Sequence, residues 1–238
     1  AQVKLLDIEF PREFAEDFGG PNYGIAGIRK YTGIVKRPLL LNMIKPCTGL
    51  TPKEGARIFY ETALGGVDLI KDDELFGNPT YSKPWERVKE YKKAAAAAYE
   101  ETGERVRYFV NVTSGAGELT ENVKRVQEAG ADGIMINFAA VGYSGLKSSP
   151  LAAGKLARLA GADIVMVNTP YGGYPLRYQK YMQTLAQLTL PWYDLKPSMP
   201  SIGGGVHPGM VEKYMHQAGN DIVLAAGGAV QGHPMGAR

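Results

Sequence analysis

From Arg37 onward, short apolar runs alternate with longer stretches whose apolar residues recur at three- and four-residue spacing. The runs read as strands buried on both faces and the stretches as amphipathic helices. Strands are expected over residues 37–45, 67–71, 106–112, 133–138, 164–167, 199–206 and 222–226. Thr51-Pro52-Lys53-Glu54 has the order of a capping box with proline in the first turn, and Gly65-Gly66 ends that helix. Further helices are expected over 82–103, 118–129, from Ser149-Pro150 through Leu159, over 176–190 and over 210–218. No helix is expected after the final strand, and residues 1–36 read as a lead-in of little periodicity. Strand and helix alternate throughout, which gives an α/β fold on a parallel sheet.

The strand ends carry the chemistry. The run Val67-Asp68-Leu69-Ile70 passes straight into Lys71-Asp72-Asp73-Glu74. An apolar strand ending in charge suits the C-terminal mouth of a parallel β/α barrel, although the same run suits a solvated turn. Alternation along a strand puts Lys71 and Asp73 on one side, and Glu74 swings beside them. Two carboxylates form a hard oxygen site of the Mg²⁺ kind, with Lys71 either their counter-ion or chemically altered. The strand before it ends near Lys45. The last two strands run into Gly203-Gly204-Gly205 and Gly227-Gly228, where bare backbone can wrap a phosphate.

Composition narrows the classes. The 238 residues are 45% hydrophobic and 21% charged, enough for one large α/β domain. A net charge of +3 without a basic block gives no reason to expect a nucleic-acid partner. No apolar run approaches the roughly 20 residues that span a bilayer, and no secretory signal opens the chain, so no membrane partner is expected. The single cysteine, Cys47, excludes an internal disulfide and suits a reducing, cytoplasmic setting.

The order of the motifs resembles the catalytic domain of the RuBisCO large-subunit superfamily. It runs Ile44-Lys45-Pro46 with Gly49-Leu50, Gly65-Gly66-Val67-Asp68 leading to Lys71-Asp72-Asp73-Glu74, then Gly204-Gly205-Val206-His207 and Gly232-His233-Pro234. It is most similar to the RuBisCO-like proteins (form IV), which lack carboxylase activity. The resemblance implies a (β/α)8 TIM barrel over residues 37–238, with 1–36 leading in. It implies Mg²⁺ held by Asp73, Glu74 and Lys71, with CO₂ attached to Lys71 as a carbamate. It also implies Lys45 as an acid/base group near the enolising carbons, and Gly204, Gly205, Gly227 and Gly228 as binders of the phosphate of a small-molecule substrate. A homodimer or dimer-based oligomer follows from the same resemblance.

The chain also departs from that pattern. Cys47 stands where the carboxylases have a second lysine, Gly203 where they have a serine, and the loop from Asn168 to Pro175 has no lysine. The enolising parts are present and the gas-addition parts are not. The expected activity is therefore enolisation of a phosphorylated keto-sugar or related metabolite, ending in tautomerisation, isomerisation or decarboxylation. A genuine carboxylase homologue and a non-catalytic barrel fragment or scaffold are the alternatives. Relative to the family, an N-terminal α+β domain, a last helix with its tail, and a helix–strand unit between Val141 and Ser149 are expected to be absent from this sequence, either truncated or, as unpaired strand edges favour, left out of it. His207, His216, Trp85 and Trp192 are expected to be structural, and Cys47 a small neutral residue. Tyr171 and Tyr174, on a glycine loop, are candidates to close over substrate.

Overall fold

A computed structural model describes residues 4–138, 140 and 149–237. The described residues form two compact units, one drawn from 40–138, 140 and 226–237 and the other from 4–39 and 149–225. Each contains parallel strands joined by helices.

In the first unit the elements run β1 (Leu39–Met43), α3 (Pro52–Leu64), β2 (Leu69–Lys71), α4 (Pro84–Thr102), β3 (Arg107–Asn111), α5 (Ala116–Glu128) and β4 (Gly133–Met135). The strands are parallel in the order β4-β3-β2-β1, with Met43 opposite Lys71 and Lys71 opposite Phe109. The capping box opens α3 as expected: the Thr51 hydroxyl accepts from Glu54 N and the Glu54 carboxylate accepts from Thr51 N. Gly103 ends α4 in the left-handed conformation that glycine adopts without steric cost. Phe59, Val88, Tyr91, Tyr108, Val110 and Val126 meet in the core between helices and strands. Phe59, Tyr91 and Tyr108 pack as an aromatic trio, with ring centroids 4.8 to 5.7 Å apart. The Tyr91 hydroxyl fills the space above Gly55, where a Cβ would lie 1.9 Å from it.

The same unit closes with residues 226–237. Ala226 N donates to Leu41 O at 2.9 Å, and Asn42 Nδ2 donates to Ala226 O at 2.8 Å. A short helix, α9 (Gly228–Gln231), follows, where the sequence pattern gave none. Its four residues are too few to show a helical period, and its place is fixed by Gln231, whose Nε2 reaches Asn42 Oδ1 and Thr62 Oγ1.

In the second unit, α1 (Arg12–Glu16) and α2 (Gly24–Thr32) occupy the lead-in. They are followed by α6 (Pro150–Leu159), β5 (Ile164–Asn168), α7 (Tyr178–Thr189), β6 (Met199–Gly203), a 3₁₀ turn (Pro208–Met210), α8 (Val211–Ala218) and β7 (Val223–Ala225). The strands are parallel in the order β7-β6-β5. The lead-in helices are held by polar anchors that hydrophobic periodicity does not reveal. Asp163 Oδ1 accepts from Tyr23 N and Gly24 N at the start of α2. Buried Arg29 pairs with Asp221 at 2.9 Å and donates to the carbonyls of Ile34, Arg37 and Asn220. Buried Arg158 similarly gathers the carbonyls of Gln187, Leu190, Leu195 and Lys196.

The strands are shorter than their apolar runs, because residues such as Ile44, Val112 and Val206 remain buried after the ladder has ended. Residues 141–148, at the expected break in the barrel pattern, lie outside the described residues. Among the described residues no helix is long and apolar enough to cross a membrane.

Candidate active site

Adjacent strands β1 and β2 bring two lysines and two carboxylates together. Lys45, two residues past β1, places Nζ 2.5 Å from Asp73 Oδ2. Lys71, the last residue of β2, places Nζ 2.5 Å from Glu74 Oε1 and 3.1 Å from the carbonyl of Asp72. β2 ends at Lys71, so Asp73 is set by the turn and not by strand alternation. Lys71 and Asp73 are buried, whereas the Lys45 and Glu74 side chains are about a third exposed, at 34% and 38%. Unmodified, Lys71 pairs with Glu74.

Electrostatics separate the roles. Burial alone would lower the Lys45 ammonium pKa, but hydrogen bonds to Asp73 and to Cys47 Sγ, 3.1 Å away, hold it above the usual lysine value. Burial alone would raise the Asp73 carboxyl, but Lys45 and the Leu75 N–H hold it below the usual carboxylate range. Lys45 therefore keeps its proton at Nζ while Asp73 stays ionised.

Behind the acids is a buried support. Asp72 is fully buried and accepts from Arg87 Nε at 3.1 Å, Tyr108 Oη at 2.7 Å and Asn111 N at 2.9 Å. Arg87, also fully buried, donates to the carbonyls of Phe76, Gly77, Ser82 and Asn111 as well. Its guanidinium lies 4.4 Å from the Phe76 ring centroid. Burial pulls the Arg87 pKa down, and Asp72, Tyr108 and Tyr91 together more than offset it. Asn111 Nδ2 donates to the backbone carbonyls of Asp73 and Glu74, and Asn137 Nδ2 to that of Glu74 at 3.3 Å. Sequence reasoning missed these supporting residues. The available signs were Asn111 and Asn137 at expected strand ends; an arginine inside a helix announces nothing.

The glycine turns fall as follows. Gly227 is buried and Gly228 exposed, beside the end of β1 in the acid–lysine unit, where a Cβ on Gly227 would meet Met43 at 3.0 Å. Gly204 and Gly205 follow β6 in the other unit, both exposed, with φ of 93° and 74°. His207 and His216 are exposed, and His216 lies in α8. Trp85 packs on the core of its unit, and Trp192 packs against Phe10.

The description "ribulose bisphosphate carboxylase large chain, catalytic domain" matches residues 24–152, more than half of the sequence. The chain belongs to the ribulose bisphosphate carboxylase large-chain family. A ribulose bisphosphate carboxylase-like protein of Archaeoglobus fulgidus is 41% identical over 265 residues, covering 99% of this chain and 61% of the relative. A 2,3-diketo-5-methylthiopentyl-1-phosphate enolase of Geobacillus kaustophilus is 35% identical over 266 residues, covering 99% and 64%. The crystal structure of an octameric ribulose-1,5-bisphosphate carboxylase/oxygenase from Pyrococcus horikoshii superposes with a TM-score of 0.88 at 30% identity, covering 98% of this chain and 62% of that one. The chain thus spans about three fifths of the length of these relatives. The Archaeoglobus alignment has 265 positions against 238 residues, so at least 27 positions of that protein have no counterpart here.

The donor set fits the cation the family implies. Asp73 and Glu74 offer hard carboxylate oxygens, and Lys71 Nζ already contacts one of them. Among the described residues no three His, Cys, Asp or Glu side chains cluster. A carbamate on Lys71 would add a third oxygen to this pair.

Proposed function

We propose that the chain carries the catalytic residues of a Mg²⁺-dependent enolase or isomerase that acts on a phosphorylated keto-sugar or related metabolite and does not fix CO₂. The observation that carries this reading is the paired arrangement Lys45–Asp73 and Lys71–Glu74 at the ends of adjacent parallel strands. The family contains both enolases and carboxylases, so membership alone does not choose between them. Residue 47 and the loop after β5 favour the enolase: neither has the lysine that the carboxylase pattern carries there.

Asp73 and Glu74, with Lys71 as its carbamate, would hold Mg²⁺. The ion supplies Lewis-acid polarisation of a substrate carbonyl when bound. Lys45 holds a proton at Nζ on the rim of the site, positioned to exchange it with the substrate. Gly227 and Gly228 are one candidate phosphate turn, using bare backbone, and Gly204 and Gly205, in the other unit, are a second. The reading includes an eight-stranded barrel of which residues 37–238 supply all but one helix–strand unit and the last helix, a lead-in over 1–36, a homodimer or dimer-based oligomer and a cytoplasmic setting.

The test uses 2,3-diketo-5-methylthiopentyl-1-phosphate in D₂O with Mg²⁺ and bicarbonate. Mg²⁺-dependent exchange of a substrate C–H proton for deuterium is expected. A protein that leaves this C–H untouched while catalysing bicarbonate-label uptake into ribulose bisphosphate would overturn the proposal.

A further inference from the structure

The loop after β5 and the turn after β6 are built against each other within one unit. A Cβ at Gly172 would meet the Gly204 backbone at 2.7 to 2.8 Å, and one at Gly205 would meet the Tyr171 carbonyl at 2.9 Å. Only glycine permits this approach, and Gly204 and Gly205 also hold positive φ. Thr169, 1% exposed, sits at the junction. Its Oγ1 donates to Gly204 O at 2.8 Å and accepts from Tyr171 N at 3.0 Å. Its N donates to Gly203 O at 3.3 Å, and its carbonyl accepts from Leu176 N at 3.1 Å, which closes the loop on itself.

Tyr171 is held in turn from α8. Gln217 Nε2 donates to its hydroxyl at 2.8 Å, Lys213 Nζ lies 3.8 Å from its ring centroid, and the Tyr214 ring packs 6.1 Å away. The loop therefore has anchors at both ends and beneath its aromatic side chain. Tyr174, by contrast, is 87% exposed.

We infer that Thr169 is a positioning residue for the Gly204–Gly205 turn: it presets the turn to receive a phosphoryl group. This rests on the phosphate reading of Gly204 and Gly205. A preset turn spends no binding free energy on ordering itself when the anion arrives.

Thr169→Val keeps the branched shape and removes the hydroxyl; Thr169→Ser keeps the hydroxyl. The protein, ¹⁵N-labelled at glycine, is titrated with inorganic phosphate, and amide exchange is followed over 203–205. In the parent, the Gly204 and Gly205 signals shift with phosphate. Thr169→Val should weaken phosphate binding about tenfold, or about 1.4 kcal/mol, and speed exchange of the turn amides by a similar factor. It should also raise KM for the phosphorylated substrate with kcat little changed, and Thr169→Ser should restore all three. Unchanged phosphate affinity and unchanged exchange in Thr169→Val would overturn the role of Thr169. If phosphate leaves Gly204 and Gly205 untouched in the parent, the phosphate reading falls instead, while amide exchange still decides whether Thr169 fixes the turn.

Discussion

Asn111 Nδ2 lies 2.9 Å from the carbonyl oxygen of Asp73 and donates to it. The same group reaches Glu74 O at 3.1 Å, so one buried carboxamide sets the main chain beneath both candidate metal ligands. Asn111→Leu removes one of two donors from each carbonyl, since Phe76 N also donates to Asp73 O and Asn137 Nδ2 to Glu74 O. Each lost bond costs about 0.5–1.5 kcal/mol, and loss of an outer-shell partner lowers metal affinity by roughly 10- to 100-fold. Urea unfolding should show the first and calorimetric Mg²⁺ titration the second. Unchanged affinity in a folded variant would separate Asn111 from the metal site.

Asp72 and Arg87 should behave as a unit. Removing either leaves the other charged and buried, at a cost of about 3–5 kcal/mol. Asp72→Asn and Arg87→Met are each expected to be strongly destabilising. The double variant should fall short of their sum by about 0.5–3 kcal/mol. A strictly additive denaturation cycle would argue against the coupling.

Asp73→Ala and Glu74→Ala should each abolish Mg²⁺-dependent proton exchange. Each removes a hard oxygen and leaves a lysine, Lys45 or Lys71, without its carboxylate. Mg²⁺ affinity measured in both variants checks this, and parent-like binding would move the metal elsewhere.

Gly228 offers the cleaner phosphate test. A Cβ there meets nothing within 4 Å, whereas Gly204 holds a φ of 93° that strains any substitution. Gly228→Val should fold like the parent yet raise KM for a phosphorylated substrate about tenfold or more, as steady-state kinetics would show. An unchanged KM would place the phosphate away from this turn.

The α/β class and most elements were legible because apolar runs, a capping box and glycine stops are local. Lys45, Lys71, Asp73 and Glu74 were legible as residues, since each stands at or just beyond a strand end. Their pairing was not: Lys45 meets Asp73 across 28 positions of sequence. The lead-in helices escaped because Asp163 and Asp221, far along the chain, anchor them through polar contacts. Arg87 escaped for a related reason, since a fully buried arginine is foreign to a hydrophobic pattern.

Gly55 limits how this fold can be hardened. Replacing a helical glycine by alanine usually gains about 1 kcal/mol. At position 55 the new methyl would collide with the ring carbon and hydroxyl of Tyr91, at 2.7 and 1.9 Å. At Gly154, in α6, it would touch Leu188 and Thr184 at an ordinary 3.6 Å. Melting temperatures of the two alanine variants should therefore move in opposite directions. Residue 55 stays glycine for as long as an aromatic ring occupies position 91, so these two sites can only drift together.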